Sequence, residues 1–378
     1  MRIKNKKYFF TVILGGLFMV GLTKCTPDLP TIPESNWTYD PSPYTIPRLT
    51  GLPALPEAPA DNPLTKKGVE LGRKLFYDPV LSADSTLSCS GCHNSAFAFT
   101  DSNKRFSVGI DGIEGKRNSM PIYNLMYSQL NPFFEGFFWD GRAATLEDQA
   151  LLPIQDPIEM HETLPNVVAK LCADTAYQRA FFEAFNTTTI TAELVSKAIA
   201  QFVRTIVSGN TKFDQAFNAE PGVFLTEQEL LGWQLFNDNF GGDCFHCHGI
   251  NGGIFTDFIF RNNGLDDAVY YTDFADPGYG VISGDTADFG KFKTPSLRNI
   301  ALTAPYMHDG RFNTLEEVLD FYSTGVHATP FTDPFMQFAG SGGVNLTPDE
   351  KAAIIAFLHT LTDTALASNP AYQDPFIK

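Results

Sequence analysis

Two copies of the pattern Cys-x-x-Cys-His constrain this chain more than any other feature of its sequence. They occupy residues 89–93 and 244–248. Two thiols at this spacing can add to one edge of a macrocycle while the adjacent histidine ligates its iron, and the pattern is the attachment signal for c-type haem. A single four-thiolate zinc site would leave both histidines unexplained. We therefore expect two haems, held by Cys89, Cys92, His93, Cys244, Cys247 and His248.

A similar segment precedes each motif and predicts a helix. Residues 71–76 read Leu-Gly-Arg-Lys-Leu-Phe, and residues 231–236 read Leu-Gly-Trp-Gln-Leu-Phe. Thr65 is placed to cap the first helix, and Thr226 with Glu229 forms a capping box for the second. Two copies of helix, loop and motif indicate duplication of one haem-binding unit.

Further helix signals dominate the rest of the chain. Residues 190–207 carry an apolar stripe at helical spacing, and residues 164–185 are also helix-like. Capping boxes at Thr314 and Thr347 begin two later helices. Strand-like alternation is scarce. The sequence predicts an all-α fold of two cytochrome c-like haem domains with long loops, related by internal duplication.

The N-terminal segment indicates export. Basic residues precede an apolar stretch over residues 8–22, and Leu22-Thr23-Lys24-Cys25 resembles a lipobox. We expect a signal peptide over residues 1–25, lipidation at Cys25 and a periplasmic location. A proline-rich tether follows over residues 26–63, then a first domain over 64–210 and a second over 211–378. The last helix is expected to pack back on the first domain.

Charge narrows the range of partners. The chain carries a formal net charge of −16, which disfavours nucleic acid and anionic membrane surfaces because both require basic patches. A lipid at Cys25 would be the only link to a membrane. Cys172 lies outside the two motifs, and we expect it to be a small buried apolar residue.

Several longer segments carry a family resemblance. They are residues 71–79, 98–101, 117–119, 138–142, 149–160, 293–299 and 303–310. Together they resemble the bacterial dihaem cytochrome c peroxidase and MauG family over roughly residues 64–362. The resemblance implies a peroxidatic haem at His93 and an electron-transfer haem at His248.

The resemblance also implies roles for individual residues. Glu159 would move a proton between the two oxygens of peroxide, and Gln149 would orient the oxidant. Pro153 would restrict the pocket, and Trp139 would lie between the haems as an electron path. One calcium ion would be held through oxygen atoms of three further positions, namely Asn118, Thr303 and Pro305.

Two departures from the family pattern concern the iron ligands. Many of these peroxidases block the peroxidatic iron with a histidine about sixteen residues after the first motif, but residues 107–111 contain none. We therefore expect an open first haem that needs no reductive activation. Fourteen residues after His308, where peroxidases place a methionine ligand, stands Tyr322, as in MauG-like members. Met307 is a rival ligand and Met336 a weaker one.

The expected function is reduction of hydrogen peroxide to water, with electrons from a small cytochrome c or cupredoxin passing through the second haem. A MauG-like oxidase that modifies a partner protein is the first alternative. A non-catalytic electron carrier is the second, and it would need a sixth ligand such as Met120 or Met126 at the first iron. His161, beside the presumed pocket, is expected to be a surface residue.

Overall fold

The computed structural model describes residues 36–101, 103–249 and 252–377. Helix is the main regular structure of these residues. In chain order the helices are α1 (Lys66–Tyr77), α2 (Cys89–Cys92), α3 (Leu146–Gln155), α4 (Leu164–Ala173), α5 (Thr175–Phe185), α6 (Ala192–Thr205), α7 (Lys212–Phe217), α8 (Glu227–Phe236), α9 (Phe245–His248), α10 (Gly280–Ser283), α11 (Leu315–Asp320) and α12 (Pro348–His359).

A close crossing of α1 over α6 organises the first half of the chain. Gly72 of α1 lies directly against the carbonyl of Ala198, where any side chain would overlap that oxygen. The close approach lets Phe76 pack on Phe202, with ring centroids 5.3 Å apart. Both rings are fully buried. The packing on α6 therefore fixes the position of α1, the helix that precedes the first haem motif.

The second half repeats this arrangement with α8 and α12. Gly232 of α8 lies against the carbonyl of Ala353, and Phe357 sits one turn further on α12. Phe236 packs on Phe357 at 5.2 Å and on Phe255 at 6.2 Å between ring centroids. The two crossings thus use glycine at equivalent positions of the two Leu-Gly-containing segments.

The predicted caps are confirmed. Thr65 accepts a hydrogen bond from the backbone of Gly68, and full capping boxes begin α8, α11 and α12. The side-chain oxygens satisfy amides that a helix start leaves unpaired. These local signals correctly place the starts of four helices.

Two details differ from the sequence-based expectation. A two-residue antiparallel pair joins β1 (Phe260–Arg261) to β2 (Phe292–Lys293), so the fold is helix-rich with few strands. The stretch 164–185 is two helices, because Asp174 ends α4 and its side chain caps α5. Cys172 is buried on α4 in the apolar core of the first half, as expected.

The proline-rich segment is not a free tether where the structure describes it. Residues 36–63 form no helix longer than one turn, but they pack on the body of the protein as a strap. Leu52 is buried in a cluster with Tyr127 of the first half and Phe258 of the second. Proline-rich chain has little regular structure of its own, and apolar residues every few positions fix it here. The signal segment and Cys25 lie outside the described residues.

The C-terminal tail, rather than the last helix, packs on the first half. α12 lies in the second core against α8, whereas Leu366 and Tyr372 belong to the first core. The Tyr372 hydroxyl donates to the Thr205 carbonyl at 2.7 Å and accepts from the Val207 amide at 3.1 Å. The expectation that the last helix packs on the first domain was therefore wrong, because the segment after α12 makes this contact instead. The described helices include none long and apolar enough to cross a membrane.

The glycine crossing gives a stability prediction. Gly232→Ala should lower the free energy of unfolding by about 1–3 kcal/mol, because the added methyl group forces α8 away from the Ala353 carbonyl. Denaturant unfolding of the haem-loaded protein measures the change. Gly340→Ala is the matched control, since no neighbouring atom lies within 4 Å of the position of its new methyl group. Equal unfolding midpoints for the two variants would contradict the packing argument.

Candidate haem and peroxide site

The first motif presents a neutral imidazole. His93 follows the short helix α2, and its Nδ1 lies 2.9 Å from the Phe99 carbonyl, to which it donates. Burial lowers the pKa of His93, so the ring stays unprotonated at Nε2. A hydrogen bond at one ring nitrogen fixes the tautomer and aims the other nitrogen at a metal. This geometry suits His93 as an iron ligand.

The second motif borders a cavity of about 220 Å³. Burial lowers the pKa of His248, and the backbone carbonyls of Phe255 and Pro295 approach its ring. The walls are mainly apolar and include residues from both halves of the chain. Among the wall residues are Ser119, Trp139, Cys244, Cys247, His248, Asn263, Lys293, Met307 and Tyr322.

The donor set at both motifs fits c-type haem. In each motif two thiols lie within one helical turn beside a neutral histidine. Burial raises the pKa of Cys89, Cys244 and Cys247 to about 12 and that of Cys92 to about 11, so the free thiols stay protonated at neutral pH. Among the described residues, no group of three or more His, Cys, Asp or Glu side chains could hold a metal ion, which excludes the four-thiolate zinc alternative.

The structure places three predicted site residues around the end of α3. Gln149 and Pro153 are four residues apart and share one face of this helix. Pro153 has no amide hydrogen, so the Gln149 carbonyl lacks its usual helical partner. The chain then folds back, with the Met160 amide donating to the Pro153 carbonyl at 3.3 Å. Glu159 is thereby held beside the two α3 residues.

Glu159 has the environment of a proton-transfer group. Burial raises its pKa, the charge of Asp156 adds to the rise, and Arg142 opposes it. The Glu159 charge in turn acts on both thiols of the first motif, where it adds to the effect of burial on the pKa of Cys89 and Cys92. The carboxyl therefore lies close to the first haem attachment site.

The segment without the blocking histidine packs on the Glu159 turn. The Ile110 amide donates to the Glu159 carbonyl at 3.0 Å. Gly109 approaches the Ile158 carbonyl too closely for any side chain. At the surface, His161 Nδ1 lies 2.7 Å from an Asp111 carboxylate oxygen, and both side chains are about half exposed. This position of His161 matches the surface role expected for it.

Trp139 lies where the two halves meet. Its indole Nε1 donates to the Asn118 carbonyl at 2.8 Å, and its own carbonyl accepts from the Lys293 amide of β2 at 2.9 Å. The ring is buried and lines the second-motif cavity. The same cavity reaches Ser119, whose hydroxyl is 3.4 Å from His93 Nδ1. Trp139 thus lines a cavity that extends from the second motif to Ser119, beside His93.

Tyr322 faces the second motif from across the cavity. It lies on a π-helical turn, Phe321–Gly325, that continues α11; such turns often occur at functional sites. Burial raises the pKa of Tyr322 to about 12, and a hydrogen bond from Asn263 opposes the rise. Asn263 Nδ2 lies 3.0 Å from the Tyr322 hydroxyl and 3.7 Å from the Met307 sulfur. The side-chain amide of Asn263 therefore contacts both candidate ligands, Tyr322 and Met307.

The three predicted calcium positions line the same cavity. Asn118 uses its side-chain nitrogen to donate to the Lys104 and Arg105 carbonyls at 3.2 Å, which leaves its side-chain oxygen available as a ligand. Thr303 and Pro305 lie on either side of Ala304, and the Ala304–Pro305 peptide is cis. Oxygen ligands of this kind suit calcium, and the calcium site stays a prediction.

Sequence reasoning missed two polar residues of the second-motif cavity. Asn263 contacts both candidate ligands, and Lys293 is buried beside the Trp139 backbone. Asn263 stands in a loop whose sequence has no periodic or motif signal. Lys293 opens the segment Lys-Thr-Pro-Ser-Leu-Arg-Asn, but the segment alone does not reveal that the ammonium group is buried.

Comparison with known proteins agrees with this geometry. A family model described as di-haem cytochrome c peroxidase matches residues 66–221, and a cytochrome c model matches residues 230–362. The chain is 34% identical to the methylamine utilization protein MauG of Methylorubrum extorquens over 357 residues, covering 93% of this chain and 92% of that protein.

Two further relatives give the same result. The cytochrome c551 peroxidase of Nitrosomonas europaea is 35% identical over 296 residues, covering 78% of this chain and 79% of that protein. A crystal structure of a MauG-like protein associated with microbial copper homeostasis matches with a TM-score of 0.75 and 35% identity, covering 86% of this chain and 97% of that one. The chain belongs to the dihaem cytochrome c peroxidase and MauG family, and its two halves are cytochrome c-type domains.

Proposed function

We propose that this protein reduces hydrogen peroxide to water at the first haem, with electrons that a small redox protein delivers through the second. The observation that carries the proposal is the position of Glu159, a partly buried carboxyl that lies beside the thiols of the first motif and whose pKa is raised by burial. The kinship to proteins named cytochrome c peroxidase supports the reaction class. The iron of a bound haem would supply the redox chemistry; the protein supplies binding, orientation and proton transfer.

Glu159 acts as the proton shuttle. As a carboxylate it takes a proton from the near oxygen of peroxide, and as an acid it returns this proton to the far oxygen, which leaves as water when the O–O bond breaks. Two electrons from the redox partner and two protons from solvent convert the remaining oxygen to a second water. A pKa raised by burial brings the two forms closer to balance at neutral pH than in an exposed glutamate. Gln149 orients the oxidant by hydrogen bonding, and Pro153 narrows the pocket.

A haem held by His93 would be open to peroxide without prior reduction of the second. Residues 107–111 offer no histidine, and Gly109 and Ile110 fix this segment against the Glu159 turn. The carrier alternative needs a sixth ligand at this iron. The backbone carbonyl of Met120 approaches the His93 ring, so the Met120 backbone lies beside the imidazole that would hold the iron. Both observations favour an enzyme over a carrier.

In this proposal Tyr322 would hold the iron of the second haem through its hydroxyl oxygen. It faces the motif thiols across the cavity, and the Asn263 amide donates to its oxygen, which favours the phenolate. An anionic oxygen ligand stabilises oxidised iron, whereas methionine raises the potential. Tyr322 is also the feature that favours the second candidate function, a MauG-like oxidase that uses peroxide to modify a partner protein.

Several finer points belong to the same proposal. Calcium bound at Asn118, Thr303 and Pro305 would hold the two halves together beside Trp139. The electron donor would be a small cytochrome c or cupredoxin, and the location periplasmic, with a lipid at Cys25 as anchor. The mass of the N-terminal peptide of the mature protein tests the lipid. The matched glycine crossings at Gly72 and Gly232 support an origin of the two domains by duplication.

Stopped-flow measurement of peroxide with a reduced small cytochrome c tests the main reaction. The proposal expects fast catalytic oxidation of the cytochrome without pre-reduction of the enzyme. Negligible turnover, with peroxide leaving the protein in a long-lived oxidised state, would instead identify a MauG-like oxidase that awaits a protein substrate. An unreactive protein that binds no carbon monoxide when reduced would be a carrier.

Glu159→Gln should lower kcat/KM for peroxide by roughly 10²–10⁴-fold, because an amide cannot take and return the proton. Wild-type activity should fall as the pH drops through the raised pKa of Glu159, since only the carboxylate accepts a proton, and the variant should lose this pH dependence. Glu114→Gln is the control, because Glu114 is exposed. Unchanged kinetics of the Glu159 variant would remove the shuttle from the mechanism.

Tyr322→Phe should change the absorption and EPR signals of the second haem and leave those of the first unaltered, because phenylalanine cannot ligate iron. Tyr270→Phe is the matched control, since Tyr270 is 69% exposed. Met307→Leu should leave both sets of signals as they are. The opposite pattern, with Met307→Leu altering the second haem and Tyr322→Phe silent, would assign the ligand to Met307.

A further inference from the structure

Lys293 is a buried lysine that forms no ion pair with a carboxylate among the residues that the structure describes. It is 5% exposed, and its Nζ donates to the Gly136 carbonyl. Three aromatic rings surround the ammonium group, with Nζ to ring-centroid distances of 4.6 Å for Phe134, 5.3 Å for Phe260 and 5.4 Å for Phe137. Aromatic faces attract a cation, but they replace only part of the hydration that an ammonium loses on burial.

The charges around this lysine leave it poised between two protonation states. Burial lowers the pKa of Lys293 to about 7, and among the described residues the opposing charge is that of Asp140. Asp140 is already paired with Arg117 and with Arg142 at 3.1 Å. Tyr279, which stacks behind Phe260 at 4.3 Å, has a phenol pKa raised to about 12 by burial and is therefore neutral. A small change in the electrostatic potential at Lys293 Nζ can therefore add or remove its proton.

The position of Lys293 connects this charge to the electron path. The residue belongs to β2 in the second domain, and its amide is bonded to the Trp139 carbonyl of the first. Its side chain lines the cavity that also contains the thiols of the second motif and Tyr322. A positive charge here disfavours removal of an electron from Trp139 or from the second haem site, because both would then carry like charge in a medium that screens poorly.

We propose that Lys293 keeps the charge between the two haem sites constant. Its side chain releases a proton when an electron leaves the second site and regains a proton when that site is reduced. The proposal rests on the peroxidase function and its path through Trp139. One electron passes from the Trp139 indole toward peroxide at the first haem while one proton leaves Lys293 Nζ for solvent. The redox partner's electron, arriving through the second haem, refills the indole, and the proton returns. The charge between the haems thus stays constant.

Protonation of Lys293 and reduction of the second haem must affect each other equally. If oxidation of the haem expels the lysine proton, then a protonated lysine makes the haem easier to reduce. In the haem-loaded wild type, the reduction equilibrium constant of the second haem should fall with rising pH between about pH 6 and 8, by up to tenfold per pH unit. Spectroelectrochemistry at a series of pH values measures this without peroxide. Haem propionates also titrate, so the variants are needed to assign the slope.

Lys293→Met carries no charge at any pH and Lys293→Arg always carries one. Both should lose most of the slope, with the arginine variant the easier of the two to reduce. Lys291→Met is the control, because it removes a cation two residues away that is partly exposed and paired with Asp288 at 2.7 Å; its slope should equal that of the wild type. Should the methionine variant not fold, the arginine variant alone still tests the slope.

Two results would overturn the proposal: a wild-type potential that is flat over this range, or an unchanged slope in the arginine variant. Failure of the peroxidase function is seen separately, as absent turnover in the wild type by the stopped-flow measurement. A pH-linked potential in a protein without peroxide turnover would retain the lysine linkage and reject only the reaction.

Discussion

The close contact of a helix glycine with a carbonyl of the crossing helix is the constraint on which the rest of the structure depends. At Gly72 and again at Gly232, the backbone of one helix rests on the backbone of another, so neither crossing can slide without a clash. Each of these helices precedes a haem attachment motif, with a loop between the two. The thiols of both motifs and the histidines that follow them therefore occupy fixed positions relative to a rigid helix pair. The loops that carry Glu159 and Tyr322 only need to fold against that frame.

The two sites use desolvation for different purposes. Around the first motif, burial makes a carboxyl a better carrier of protons, because its charged form loses favour and the two protonation states approach each other in free energy. Around the second motif, burial keeps the Tyr322 phenol protonated on its own, and the Asn263 hydrogen bond works in the opposite direction. A metal ion would decide this balance in favour of the phenolate. The protein thus prepares one site for proton exchange and the other for an anionic ligand, with Lys293 as a titratable charge between them.

Local sequence signals predicted the parts of the fold that are themselves local. The helix caps at Thr65, Thr226 and Thr347 depend on residues three positions away, and all three are confirmed. The motif spacing likewise located the haem attachment residues. Contacts between distant segments were beyond reach. Nothing near Asn263 in sequence reveals that it touches Tyr322, and the packing of a proline-rich strap on both domains depends on surfaces that form only after folding. The tail contact was assigned to the wrong element for the same reason.

The strap before the first domain and the tail after α12 both cross the boundary between the domains. The strap from residue 36 lies against both halves, and the tail at Leu366 and Tyr372 completes the core of the first domain. The N-terminal side of a chain is synthesised first, so the core of the first domain closes only after the residues that follow α12, which include Leu366 and Tyr372, have been made. The first domain therefore depends for its folding on residues that follow the second domain in sequence.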